Sequence, residues 1–261
     1  MMNFLKLLNN TGLIAAHRGA NSLYPENTMS ALVGSKGKCD FIEVDVALSS
    51  DRVAVIMHDD TLCRTTNVKS IESYKDRVPY KICNFTFEEL RGLDYGSWFY
   101  DDIQNRYEPL LTLKDTLNFI KENKMFLNIE IKDTHKNFSD EDVVSIVLKE
   151  IIDSHTQNQV LISSFRAEYL PLCKKNAPEI PTALLVENKH PNNLMEYLKE
   201  LQVDGYHFND ALVDKKTIKI LKENGYFVNI YVVNDTTRAK ELFEMGINGI
   251  FSDIITSYKR E

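Results

Sequence analysis

The sequence predicts a (β/α)8 TIM barrel with a small insertion after its second strand. Three observations lead there. Short apolar runs alternate with longer amphipathic ones along most of the 261 residues, the pattern of a parallel sheet covered by helices. If the apolar run Val53–Met57 belongs to an irregular segment, eight strands remain, and eight strand–helix units in about 250 residues fit a closed barrel. The first strand-to-helix turn reads Arg18-Gly19-Ala20-Asn21. It is not the G-x-G-x-x-G expected of the runner-up, an open doubly wound sheet.

The elements follow in order. Leu13–His17 reads as a buried strand and Thr28–Lys36 as a helix, with Asn27 as its N-cap after Pro25. Phe41–Ala47 is the second strand. Leu62–Pro109 then breaks the rhythm with polar and aromatic residues of no clean period, among them Tyr74, Tyr80, Trp98, Phe99 and Tyr100. Alternation resumes with a helix at Leu113–Asn123 and a strand at Met125–Ile131. Asp140–Ser154 is a strongly periodic helix capped by Ser139 or Asp140. Strands at Val160–Phe165, Thr182–Val186 and Gly205–Phe208 are separated by helices at Glu168–Lys175 and Leu194–Leu201. A helix at Val213–Asn224 closes at Gly225. A strand at Tyr226–Val233, a helix at Thr236–Met245 closed by Gly246, and a last strand at Gly249–Ser252 complete the set.

Composition narrows the function classes. The net charge of -7 argues against a broad nucleic-acid surface, which needs a basic face, yet leaves room for a local cationic pocket. The four cysteines, at 39, 63, 83 and 173, form no C-x-x-C pair and read as reduced residues of a cytosolic protein. Asn9, Asn10, Thr11 and Gly12 interrupt the apolar N-terminal run, so no signal peptide is expected. No run reaches the roughly 20 apolar residues of a membrane span. The expectation is a soluble cytoplasmic chain, one domain over residues 1–261, without stable membrane insertion; oligomeric state is not indicated.

A barrel carries its chemistry at the C-terminal ends of its strands. His17 and Arg18 end the first, Glu43 and Asp45 lie late in the second, and Glu130 and Lys132 end the third. Glu43 and Asp45 are two residues apart on a strand and share a face. Paired carboxylates repel unless a pKa rises or a cation intervenes. With Glu130 they make three oxygen ligands without sulfur, a set for a hard divalent cation, Mg2+ or Ca2+. Ion pairs with Arg18, Arg64 or Lys132 explain the same acids, and the two readings coexist. His17 and His58 each end an apolar run beside a charged residue, which suits proton transfer. Arg18 and Lys132 suit phosphate binding. Lys132 as a Schiff-base lysine is the other reading, but the surrounding acids favour its protonated form.

These residues resemble the glycerophosphodiester phosphodiesterase family. The motifs are H-R-G-A at 17–20, P-E-N-T at 25–28, E-V-D-V at 43–46, M-H-D at 57–59 and L-C-R-T-T at 62–66. They continue with P-L-L-T-L at 109–113, N-I-E-I-K at 128–132, S-S-F at 163–165, V-V-N at 232–234 and G-I-N-G-I-F-S-D at 246–253. They cover nearly the whole chain in the family's order. The resemblance implies a barrel of this type with a small insertion after the second strand. It implies His17 and His58 as the acid–base pair, Glu43, Asp45 and Glu130 as metal ligands, and Arg18 and Lys132 as phosphate ligands. Pro25, Glu26, Asn27 and Thr28 shape the first loop and receive no chemistry.

Three places depart from the family's pattern. Ser49-Ser50-Asp51-Arg52 stands where T-K-D-G is usual, Tyr231-Val232-Val233-Asn234 where a W-T-V-N-like run is usual, and Ser252-Asp253 where T-D is usual. Tyr231 keeps an aromatic wall on the substrate side, so the expectation is an altered alcohol pocket with intact chemistry. The implied reaction is metal-dependent hydrolysis of a small-molecule glycerophosphodiester to glycerol 3-phosphate and an alcohol. The alternatives are a lysophospholipase D-like activity on a lipid, with the aromatics of the insertion as a lid, and a non-catalytic phosphoester-binding barrel.

Overall fold

A computed structural model describes residues 3–100 and 106–258. Strand β1 (Leu13–Ala16) pairs in parallel with both β2 (Phe41–Leu48) and β9 (Gly249–Ser252), which closes the sheet on itself. Between them, in order, run β4 (Leu127–Ile131), β5 (Val160–Ser164), β6 (Thr182–Val186), β7 (Gly205–Asn209) and β8 (Phe227–Tyr231), each parallel to its neighbours. These eight parallel strands, with helices between them, are the (β/α)8 barrel predicted.

The run near residue 55 forms β3 (Ala54–Ile56), antiparallel to the end of β2 and no stave of the barrel. The excursion therefore begins before the predicted Leu62 boundary. It holds short 3-10 turns and a helix, α3 (Phe87–Arg91), closed by a Thr86–Glu89 capping box. Its core is its own: Ala47, Val55, Met57, Leu62, Phe85 and Leu90 cluster apart from the barrel. Part of the predicted insertion, residues 101–105, lies outside the described residues.

Residue alternation along β2 explains how a polar site grows from an apolar barrel. Ile42, Val44 and Val46 face outward into the strand–helix layer. Phe41, Glu43 and Asp45 face inward, because side chains two apart share a face. Phe41 joins Leu13, Ala15, Leu161, Ala183, Phe227 and Phe251 in an apolar floor. A helix absent from the sequence-based expectations, α1 (Phe4–Leu8), plugs that floor from below. Phe4 packs edge-on against Phe41 and stacks on Phe126, both at 5.2 Å. The acids then stand higher up, toward the strands' C-terminal ends.

Helix signals in the sequence hold over the second half. α4 (Leu113–Asn123) and α5 (Asp140–Ser154) have the predicted limits, and Ser139 caps α5 by accepting from Asp142 N–H. α6 (Tyr169–Asn176), α7 (Leu194–Glu200), α8 (Lys215–Glu223) and α9 (Thr236–Glu244) follow their expected spans within a residue or two. One cap differs. α2 (Met29–Gly34) is capped by Thr28, whose hydroxyl accepts from Ala31 N–H. Asn27, the predicted cap, sits at φ 58° and directs its amide elsewhere. No helix among the described residues is long and apolar enough to cross a membrane. None of the four cysteines is in a disulfide among the described residues.

Candidate active site

The turn after β1 is built around a close approach. Arg18 takes a left-handed φ of 54° and Gly19 one of 78°. A Cβ on Gly19 would lie 2.8 Å from the Ala31 backbone, so only glycine lets this turn pack on α2. The turn aims Arg18 N–H at Glu43 Oε2, 2.8 Å away, and leaves His17 at the barrel mouth.

Two histidines face the cavity, and each is oriented by a carboxylate. His17 Nδ1 lies 2.8 Å from Asp253 Oδ1, just past β9. His58 Nδ1 lies 2.7 Å from Asp59 Oδ1. In each ring this leaves Nε2 for other chemistry. Their environments differ. Burial works to lower His17, but the Asp253 bond and the charge of Glu43 outweigh it and the net shift is upward. Burial lowers His58, and the cations Lys132 and Arg18 help hold it down against the pull of Asp45. Asp253 also accepts from Asn21 and Asn234, and these bonds with His17 overcome burial to hold its carboxyl far below the usual range.

Glu43, Asp45 and Glu130 converge as predicted: one oxygen from each lies within 4.8 Å of the others. Register explains it, because Asp45 and Glu130 are Cα partners across β2 and β4. Glu43 and Asp45 are 3% and 1% exposed, so their charges repel in a medium that screens poorly. Burial and the charge of Asp45 push Glu43 up to about 8, and burial with Asp45 also raises Glu130. Asp45 is lowered despite burial, because Lys132 and Arg18 flank it. The group fits a divalent cation: hard oxygens from two buried carboxylates and a partly buried third, with Glu43 Oε1 reached by no hydrogen-bond donor.

Ion pairs coexist with that cluster, as the sequence allowed. Lys132 Nζ lies 2.6 Å from Glu130 Oε1 and 3.4 Å from Asp45 Oδ1; Arg18 Nε lies 3.4 Å from Asp45 Oδ2. Burial works to lower Lys132, but the charges of Asp45 and Glu130 outweigh it and raise it. It is held as an ammonium, the wrong form for imine chemistry.

The P-E-N-T turn carries more than loop shape. Glu26 accepts from Arg18 Nη1 at 2.9 Å and takes Arg64 bidentately at 2.6 and 2.7 Å. Arg64 in turn grips Asp59 at 2.8 and 2.9 Å. A chain of ion pairs, Arg18–Glu26–Arg64–Asp59, thus ends on His58. Asn27 Nδ2 donates to Asp45 Oδ2 at 2.9 Å. Sequence reasoning gave neither residue a part in the chemistry. Nothing in the spacing pointed Glu26 to Arg64 or Asn27 to Asp45. Asp253 was also passed over, although it follows the last strand and so obeys the strand-end rule.

Tyr231 lines the same cavity of about 670 Å³, with Phe165, Leu185, Glu187 and Asn209 completing the far side. Its hydroxyl donates to Val186 C=O at 2.8 Å, which ties the ring into the cavity wall. The ring meets Phe165 edge-on at 5.9 Å. Phe165 is 42% exposed and sits 6.0 Å from Lys132 Nζ, placing an aromatic beside the cationic pair.

Comparisons with known proteins agree with this geometry. Residues 17–257 match the model of the Glycerophosphoryl diester phosphodiesterase family. A Glycerophosphodiester phosphodiesterase of Bacillus altitudinis is 31% identical over 245 residues, covering 92% of this chain and 94% of that protein. One of Bacillus subtilis is 28% identical, covering 92% and 83%. Among solved structures, an Oleispira antarctica phosphodiesterase in complex with the product sn-glycerol-3-phosphate superposes with a TM-score of 0.83 at 29% identity, covering 95% of each chain. The chain belongs to the glycerophosphoryl diester phosphodiesterase family and is an enzyme of it.

Proposed function

We propose that the chain hydrolyses a glycerophosphodiester to sn-glycerol 3-phosphate and an alcohol, with one divalent cation, Mg2+ or Ca2+, held by Glu43, Asp45 and Glu130. The observation that carries this reading is the convergence at one cavity of three carboxylates, two of them buried, and two carboxylate-oriented histidines. The bound product in the Oleispira antarctica enzyme motivates the choice of substrate.

The cation, when bound, neutralises phosphoryl charge and stabilises it as it builds in the transition state. The remaining work falls to side chains. Arg18 and Lys132 sit beside the acids as fixed cations and bind the phosphate oxygens. His58, shifted down, starts neutral and removes the proton of the attacking hydroxyl. His17, shifted up, starts protonated and gives its proton to the departing alkoxide oxygen. One P–O bond forms and one breaks. When water is the attacker, the net change is addition of water across the diester, and the proton gained by His58 replaces the one lost by His17. Tyr231 and Phe165 wall the alcohol side.

The test is release of glycerol 3-phosphate from glycerophosphocholine and glycerophosphoethanolamine, before EDTA, after it, and after restoring Mg2+ or Ca2+. Turnover that persists unchanged in EDTA sinks the cation assignment. No release from any glycerophosphodiester sinks the substrate class.

A further inference from the structure

Glu43 and Asn128 are Cα partners on the adjacent strands β2 and β4. Each carries a buried oxygen without a hydrogen-bond partner, Glu43 Oε1 and Asn128 Oδ1. The other polar atom of each is taken. Glu43 Oε2 accepts from Arg18 N–H at 2.8 Å, and Asn128 Nδ2 donates to Ser163 Oγ at 2.9 Å. Asn128 is 1% exposed and forms part of the cavity floor. Because β4 lies between β2 and β5, the bond to Ser163 holds the amide nitrogen toward β5. The amide oxygen is left on the other side, that of Glu43.

Two acceptors cannot satisfy each other. A partnerless buried carbonyl is uncommon in native proteins, and two on register partners, in a cavity with three converging carboxylates, call for a shared positive or donating group. Amide oxygens are hard donors of the kind that accompany carboxylates around Ca2+ and related cations. Alternation on β4 puts Asn128 and Glu130 on the same inward face, so the motif N-I-E places an amide one step below a carboxylate ligand.

We propose that Asn128 belongs to the cation site as its neutral oxygen, with Ser163 as the residue that positions it. The inference rests on the cation assignment made under Proposed function. It adds a fourth oxygen to the three acids, and it gives the buried polar pair Asn128–Ser163 a purpose inside the barrel.

The experiment is calorimetric titration of Ca2+ and of Mg2+ into the metal-free wild type and into the Asn128→Leu, Asn128→Asp and Ser163→Ala variants. Thermal melts with and without cation run in parallel. Asn128→Leu weakens cation binding by about 10–100-fold, the usual loss when a residue supporting a metal site is removed. Asn128→Asp keeps an oxygen there and binds at least as tightly as wild type. Ser163→Ala, with a free amide, falls between. In EDTA, Asn128→Leu melts no lower than wild type, since the partnerless acceptor is gone, while its rise in Tm on adding cation shrinks. A wild-type Kd in Asn128→Leu overturns the inference. If that variant does not fold, an unchanged Kd in Ser163→Ala does so instead. Wild type that binds neither cation overturns the cation assignment itself.

Discussion

His17 and Asp253, 236 residues apart in sequence, meet at 2.8 Å across the seam where β9 closes on β1. The bond pins Nδ1 and turns Nε2 toward the cavity. His58 receives the same treatment from its neighbour Asp59. The two histidines share this device but shift in opposite directions, which is the basis of the acid and base roles proposed for them. His17→Ala and His58→Ala should each lower kcat by about 10²–10⁴-fold, with circular dichroism and cation binding unchanged. Asp253→Asn should lower kcat less, because the asparagine keeps a hydrogen bond but loses the charge that raises His17.

The acid and base assignments are separable by leaving group. With a p-nitrophenyl diester, whose leaving oxygen needs no proton, His17→Ala should recover most of its loss. His58→Ala should not. Equal losses on activated and natural substrates in both variants would show that His17 is not the proton donor.

The pH–rate profile follows from the same shifts. Activity should rise as His58 deprotonates, below the ordinary histidine value near 6.5, and fall as His17 deprotonates, above it. The expected profile of kcat/KM is a bell. His17→Ala should remove its alkaline limb, measured on the p-nitrophenyl diester.

Glu43 binds a proton up to about pH 8 when no cation is present. A cation must displace that proton, so binding at pH 7 should release about one proton and affinity should climb with pH until about 8. Calorimetry in two buffers of different ionisation enthalpy measures the release. In Glu43→Gln the proton release should shrink and the affinity fall.

Beneath the site, His207 is fully buried in the barrel interior, and burial lowers it to about 3. It accepts from Asn229 Nδ2 at 3.0 Å, as a neutral ring does. A depressed folded-state value contributes stability that is present above the unfolded value of about 6.5 and lost as pH falls toward 3. Urea unfolding of wild type should weaken over that window, and His207→Gln should flatten the dependence. An identical pH slope in the variant would exclude His207 as its source.

The sequence alone determined the staves, the helices between them and the polar residues gathered at the strands' C-terminal ends. Apolar periodicity is a local property, and strand ends are where polar residues interrupt it. Glu43 with Asp45, His17 with Arg18, and Glu130 with Lys132 were therefore legible from spacing. Partnership across the barrel was not. That Asp253 orients His17, that Glu26 links Arg18 through Arg64 to Asp59, and that Asn27 serves Asp45 rather than capping α2 depend on closure of β9 onto β1 and on the fold of the insertion. The deciding contacts join residues 18, 38 and 236 positions apart, set by register and packing rather than by local pattern. The same holds for Asn128 beside Glu43: an asparagine in a strand means little until the neighbouring strand shows which of its atoms has no partner.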